Sequence, residues 1–96
     1  MTSKQRAYLR GLANVLEPVL AVGKDGITPG VIASANEQLD AHELIKAVLT
    51  RGAPVDAREA VSALCQALDA EPVQVIGNRF SLYRPSKDNP RIDLPG

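Results

Sequence analysis

Residues Ala21 to Ile32 read AVGKDGITPGVI: the end of an apolar run, two glycines enclosing Lys24 and Asp25, then Thr28-Pro29 ahead of further aliphatics. Threonine followed by proline is a helix start. Thr28 serves as N-cap, and Pro29 takes the first helical position, where its missing N–H costs no hydrogen bond. Upstream, Pro18-Val-Leu-Ala-Val22 is a short continuous apolar run bounded by proline and glycine. It predicts a strand buried on both faces or lying at a sheet centre. The stretch is therefore a strand-to-helix junction, and the rest of the chain can be read outward from it.

Downstream, Val31, Ile32, Ala35 and Leu39 mark the buried stripe of a helix ending near Asp40. His42 to Leu49 reads as a second strand, with Ile45, Ala47 and Leu49 on one face and Leu44, Lys46 and Val48 on the other. Its Glu, Leu, Lys and Ala content also favours helix, so the alternation decides. Arg51-Gly-Ala-Pro54 is a loop. Asp56 with Glu59 forms a capping box, and Val61, Leu64, Cys65 and Leu68 form the clearest helical stripe in the chain.

Pro72–Ile76 and Arg79–Arg84 flank Gly77-Asn78, a two-residue hairpin turn. That turn pairs Ile76 with Arg79, Val75 with Phe80, Gln74 with Ser81 and Val73 with Leu82. Val73, Val75, Phe80 and Leu82 then share the core face, while Gln74, Ser81, Arg79 and Tyr83 face water. Upstream of the junction, Thr2 and Gln5 form another capping box and open a helix over 3–14. Leu9, Leu12 and Leu16 follow at helical spacing, with Arg6 and Arg10 one turn apart.

The order α-β-α-β-α-β-β predicts a single α+β domain over residues 1–86. A four-stranded mixed sheet carries helices packed on one face, and residues 87–96 follow as a tail without periodicity. Ninety-six residues suit one core. One cysteine excludes an internal disulfide and a cysteine-rich zinc site, and no apolar run approaches the ~18–20 residues of a membrane span. With an N-terminus unlike a signal peptide, the expected location is the cytoplasm. One histidine, one cysteine and no convergent carboxylate pair give no nucleophile–base arrangement, so no enzyme, cofactor, metal or small-molecule substrate is expected.

Net charge is zero, yet unevenly spread. Residues 1–34 and 72–96 each carry four basic and two acidic groups, whereas residues 35–71 carry three basic and seven acidic. If the two ends meet, one side of the fold is basic and another acidic. The basic side suits a polyanion, and the acidic middle helices suit an adaptor that touches proteins without touching RNA.

Gly23-Lys-Asp-Gly26 sits at the helix start. Glycine permits φ > 0 and removes the Cβ atoms that would hold a ligand backbone away, and the helix end offers N–H groups and a positive dipole. Pro29 removes one donor and Thr28 occupies another. Asp25 offsets part of the charge of Lys24, which favours an extended backbone passing Lys24 over a free phosphate. The bland alternative is a tight turn that simply needs glycine. The spacing fits neither a Walker loop nor a dinucleotide fingerprint.

Five ordered stretches together resemble one family: Arg10-Gly-Leu-Ala13; the GKDG loop with Ile27-Thr-Pro-Gly-Val31; His42-Glu-Leu-Ile-Lys46; Val73-Gln-Val-Ile-Gly77; and Leu82-Tyr-Arg-Pro85. They look like the CRM domain family, and within it the stand-alone bacterial ribosome-associated proteins of the YhbY type. The resemblance implies a fold similar to the C-terminal domain of bacterial translation initiation factor three. It also implies binding to rRNA in precursors of the large ribosomal subunit, assistance to ribosome assembly, and ribosomal proteins as further contacts. The residues expected to meet RNA are Gly23, Lys24, Asp25 and Gly26 of the GxxG loop, with Arg6, Arg10, Lys46, Arg79 and Arg84. Tyr83 is read as a half-buried sheet residue, His42 as structural at a strand start, and Cys65 as an inert core thiol. Where family members often carry a second lysine two residues beyond Lys46, this chain has Val48.

Overall fold

The computed structural model describes residues 1–96. Its elements are α1 (Ser3–Ala13), β1 (Leu20–Val22), α2 (Pro29–His42), β2 (Leu44–Leu49), α3 (Ala57–Leu68), β3 (Glu71–Ile76) and β4 (Arg79–Tyr83). The sheet order is β1-β2-β4-β3, with β1 parallel to β2 and the other pairs antiparallel. The expected α+β class, element order and four-stranded mixed sheet are therefore found. No helix is long and apolar enough to cross a membrane.

Local chemistry sets the helix ends. Thr2 and Gln5 close one capping box, with both hydrogen bonds at 3.1 Å, and Asp56 and Glu59 close another. Thr28 caps α2, its Oγ1 accepting from the Val31 N–H at 3.1 Å. Each such cap satisfies donors that water would otherwise have to reach and contributes about 1 kcal/mol.

Three features depart from the sequence reading. First, β1 is an edge strand, and Ala21 faces solvent. The apolar run there reflects one buried face, through Leu20 and Val22, and a short strand. Second, the helices take both faces of the sheet. Ala35 and Leu39 of α2 and the α3 stripe pack with Leu20, Val22, Ile45, Ala47, Leu49, Phe80 and Leu82. On the other face, Leu9 and Ala13 of α1 meet Leu44, Val73 and Tyr83. Burying Leu9 completely contributes about 1.5–3 kcal/mol, so leaving this face wet would forfeit a real share of a small domain's stability.

Third, the hairpin pairs as expected from Ile76/Arg79 to Gln74/Ser81, then slips. Leu82 pairs with Pro72 rather than Val73, leaving Val73 as an extra residue in a bulge. Proline has no N–H to donate to the ladder, and on an edge strand the irregularity is tolerated. The bulge turns Val73 onto the α1 face, where it is 5% exposed and completes the second cluster. His42 likewise lies in the last turn of α2 instead of opening β2. Glu43 makes the turn between them at φ +66°, a conformation that L side chains rarely adopt.

Residues 85–96 carry no helix or strand, and they pack against the body. Ile92 and Leu94 rest on the second cluster, and Gln5 Nε2 donates to the Pro95 carbonyl at 3.1 Å. The two ends of the chain therefore meet beside α1.

Candidate nucleic-acid interface

The GKDG segment is a closed turn in which the Gly26 N–H donates to the Gly23 carbonyl at 3.0 Å. Lys24 and Asp25 stand exposed at its tip, while Gly26 is buried. Gly26 has φ +72°, and a Cβ there would lie 3.2 Å from Pro54 Cγ, so glycine is demanded by backbone and neighbour alike. A Cβ at Gly52 would meet Lys24 Cβ at 3.9 Å. The loops after β1 and β2 are thus packed side by side, as their parallel pairing requires, and exposed Arg51 stands on the second of them.

The start of α2 offers an anion less than its dipole alone would promise. Pro29 has no N–H and Thr28 occupies that of Val31, which leaves the Gly30 N–H as the free donor of the first helical turn. Attraction at this end of the sheet therefore rests on the Lys24 ammonium and the Arg51 guanidinium. Sequence reasoning passed over Arg51. The signal was available: Arg51-Gly-Ala-Pro54 follows the strand that neighbours β1.

Arg79 and Lys46 lie on the α1 face, beyond the part that α1 covers. Lys46 pairs across the ladder with Ser81, Ser81 with Gln74, and Arg79 with Ile76 and Val48. Asn14, the C-cap of α1, joins Lys46, Gln74, Arg79 and Ser81 around a shallow groove of about 220 Å³. Arg6, Arg10 and Asn14 recur every four residues and so form one ridge of α1. Arg10 is exposed, whereas Arg6 stands 3.9 Å from the Glu71 carboxylate across β3, a weak pair at these exposures.

Arg84 is separate from this group. Its guanidinium donates to the Leu68 carbonyl at 3.1 Å, the Asn36 carbonyl at 3.3 Å and Asp40 Oδ1 at 2.8 Å. It sits past the end of β4, whereas Arg79 opens that strand. The nine expected residues thus divide in three. Gly23 to Gly26 lie at one end of the sheet, and Lys46, Arg79 and Arg10 border the open face next to it with Arg6 behind. Arg84 is committed to joining α2 and α3.

Burial shifts two further ionisable groups. Burial, aided by nearby Glu71, pushes the Cys65 thiol up to about 11, which keeps it protonated and unreactive at neutral pH. Burial and the charge of Glu43 also raise the Tyr83 phenol. No group of three or more His, Cys, Asp or Glu side chains could hold a metal ion.

Comparison with known proteins bears on this geometry. Residues 1–84 match the family model described as the CRS1 / YhbY (CRM) domain. The chain is 38% identical over 95 residues to "Probable RNA-binding protein YqeI" of Bacillus subtilis, with 99% of each chain covered. It is 40% identical over 96 residues to a Haemophilus influenzae protein named "RNA-binding protein", covering 99% of this chain and 95% of that one. The solution structure of the Staphylococcus aureus protein SAV1595 superposes with a TM-score of 0.83 at 39% identity, covering 99% of both chains.

Proposed function

Since this chain belongs to the CRS1 / YhbY (CRM) domain family, we propose that it binds RNA, specifically rRNA in precursors of the large ribosomal subunit, and assists ribosome assembly in the cytoplasm. The names of its relatives support the RNA part. The observation that carries the reading is Lys24, exposed at the tip of a tight glycine-flanked turn, with exposed Arg51 on the loop packed beside it. A ribose-phosphate strand can lie across the two loops, held by charge-assisted contacts that position it without reading its sequence. Gly23 and Gly26 let the turn close tightly, Gly26 through its positive φ and its fit against Pro54, and so present Lys24 at the tip. The charge of Asp25 beside it disfavours a compact free anion. Lys46, Arg79 and Arg10 extend the contact over the open sheet face.

The competing reading, an adaptor working through its acidic middle, has less support. Most of those acidic groups are already engaged: Asp40 with Arg84, Glu43 with the C-terminal segment, Asp56 and Glu59 in a capping box, and Glu71 beside Arg6.

Crosslinking in cells followed by RNA sequencing tests the proposal. Enrichment of large-subunit rRNA is expected, and its absence overturns the assignment. Replacing Lys24 and Arg10 by alanine should release the protein from ribosomal particles in cosedimentation. Undiminished cosedimentation would favour the adaptor.

A further inference from the structure

Resting on the RNA-binding reading, we infer that the preferred ligand is base-paired RNA gripped by its backbone, and that a single strand read by stacking is a poor ligand. The placement of the rings carries this. Sequence-tolerant binding of single strands depends on aromatic side chains against which bases stack, at about 1–3 kcal/mol per base. This chain has one Phe and two Tyr, and two of these three rings are inside it. The exposed His42 imidazole lies in the last turn of α2, at the opposite end of that helix from the glycine loop. Phe80 is 1% exposed in the main core and Tyr83 is 4% exposed beneath α1. Tyr8 is the exposed one, and it stands on the wrong side of its helix. At 100° per residue it lies about 160° around α1 from both Arg6 and Arg10. A nucleotide whose phosphate meets Arg10 cannot reach the Tyr8 ring.

The open sheet face presents no substitute. Its exposed apolar side chain is aliphatic, Ile76. Phe80 and Ser81 line the floor of the groove at 1% exposure each, and Asn14 and Gln74 are the polar groups that reach solvent between Lys46 and Arg79. Amide groups of this kind beside two cations suit ribose 2′-hydroxyls and phosphate oxygens, the features that an A-form duplex displays across its wide minor groove. A flexible strand must also lose conformational freedom as each phosphate is fixed. Without stacking, the few cations here have nothing to offset that cost, whereas a duplex arrives with its phosphates already in register. The same hydroxyl contacts separate RNA from DNA.

Fluorescence anisotropy of the full chain at fixed salt, with three labelled probes, tests this. The probes are an RNA hairpin, an unpaired RNA of the same length, and a DNA hairpin of the same sequence. The hairpin RNA should bind at least ~10-fold more tightly than the unpaired RNA and several-fold more tightly than the DNA. Lys46→Ala with Arg79→Ala should weaken hairpin binding by ~10-fold or more, and circular dichroism of that variant should match the parent. Unpaired RNA binding as tightly as the hairpin overturns the inference and leaves RNA binding intact. Binding to none of the probes overturns RNA binding itself, and this inference with it.

Discussion

The backbone N–H of Arg91 donates to Glu43 Oε1 at 2.6 Å, tying the last stretch of the chain to the end of α2. The same carboxylate accepts from the N–H groups of Ile92 at 2.8 Å and Ser86 at 2.7 Å, and it is 2% exposed. A charge is tolerated there because its oxygens are satisfied. Those fixed contacts also hold Glu43 at φ +66°, a strain of about 1–3 kcal/mol in a residue with a side chain. Glu43→Gln keeps the shape, supplies one acceptor oxygen in place of two, and turns an N–H₂ toward an N–H donor. Chemical denaturation should show a loss of about 1–3 kcal/mol.

Acid should act through the same contact. Burial alone would raise the Glu43 carboxyl. The three backbone donors and the nearby Arg91 guanidinium outweigh it, and the net result lies below the ordinary 4.5. A folded-state value below the unfolded one means that stability is present above the unfolded value and lost as pH falls through the folded one. Unfolding free energy measured from pH 7 downward should lose the Glu43 contribution only below about pH 4.5. In Glu43→Gln that part of the acid dependence should vanish, and a profile identical to the parent's would refute the assignment.

Ending the chain at residue 86 tests the proposed domain boundary. All helices and strands lie before it, but Glu43 would lose two of its three donors, and the second cluster would lose Ile92 and Leu94. The 1–86 chain should fold with the parent's circular dichroism and melt roughly 10–30 °C lower, corresponding to about 2–4 kcal/mol. An unchanged melting temperature would show that the last ten residues add nothing to the body.

Arg84 gives a test of role rather than of strength. Its planar fork reaches acceptors on both α2 and α3, a geometry that a lysine ammonium cannot copy. Arg84→Lys should therefore destabilise the fold by about 1–2 kcal/mol in denaturant titrations. Below the melting transition its RNA affinity should stay within about twofold of the parent's, because Lys24, Arg51, Lys46, Arg79 and Arg10 lie apart from it and its own neighbours are Lys87 and the carboxylates of Asp40, Asp69 and Asp88. A tenfold loss of affinity in a folded Arg84→Lys protein would return Arg84 to the RNA surface.

How far the sequence could be read follows from how local each signal was. The third helix was legible in full, since Asp56, Glu59 and the stripe Val61, Leu64, Cys65 and Leu68 all act within one element. So was the junction at Thr28-Pro29. The α1 face was misjudged because Gln74 and Ser81 alternate like solvent-facing residues. Ser81 is nevertheless buried, and Val73 joins that face only through a bulge at Pro72 that a two-residue turn does not foretell. Glu43 was invisible as an anchor because its partners lie more than 40 residues away, in a segment with no periodicity. At the candidate site the glycine loop was readable, but Arg51 joins it only through strand pairing.

The neighbouring loops make a quantitative prediction. Each lysine or arginine that neutralises a phosphate releases counterions, so the slope of log affinity against log salt counts such contacts. Lys24→Ala should lower the magnitude of that slope by about 0.7–1, and Lys24→Ala with Arg51→Ala by about twice as much. Neither side chain is buried, so both variants should keep the parent's stability to within about 0.5 kcal/mol. Gly26→Ala attacks the same loop by another route. The φ of +72° and the 3.2 Å approach to Pro54 should cost about 1–2 kcal/mol and displace the turn, weakening binding while every cation remains present. Titrations of the three variants across a salt series separate the cases: the lysine and arginine changes alter the slope, and the glycine change lowers affinity at an unaltered slope. A Lys24→Ala protein with the parental slope would remove the loop from the interface.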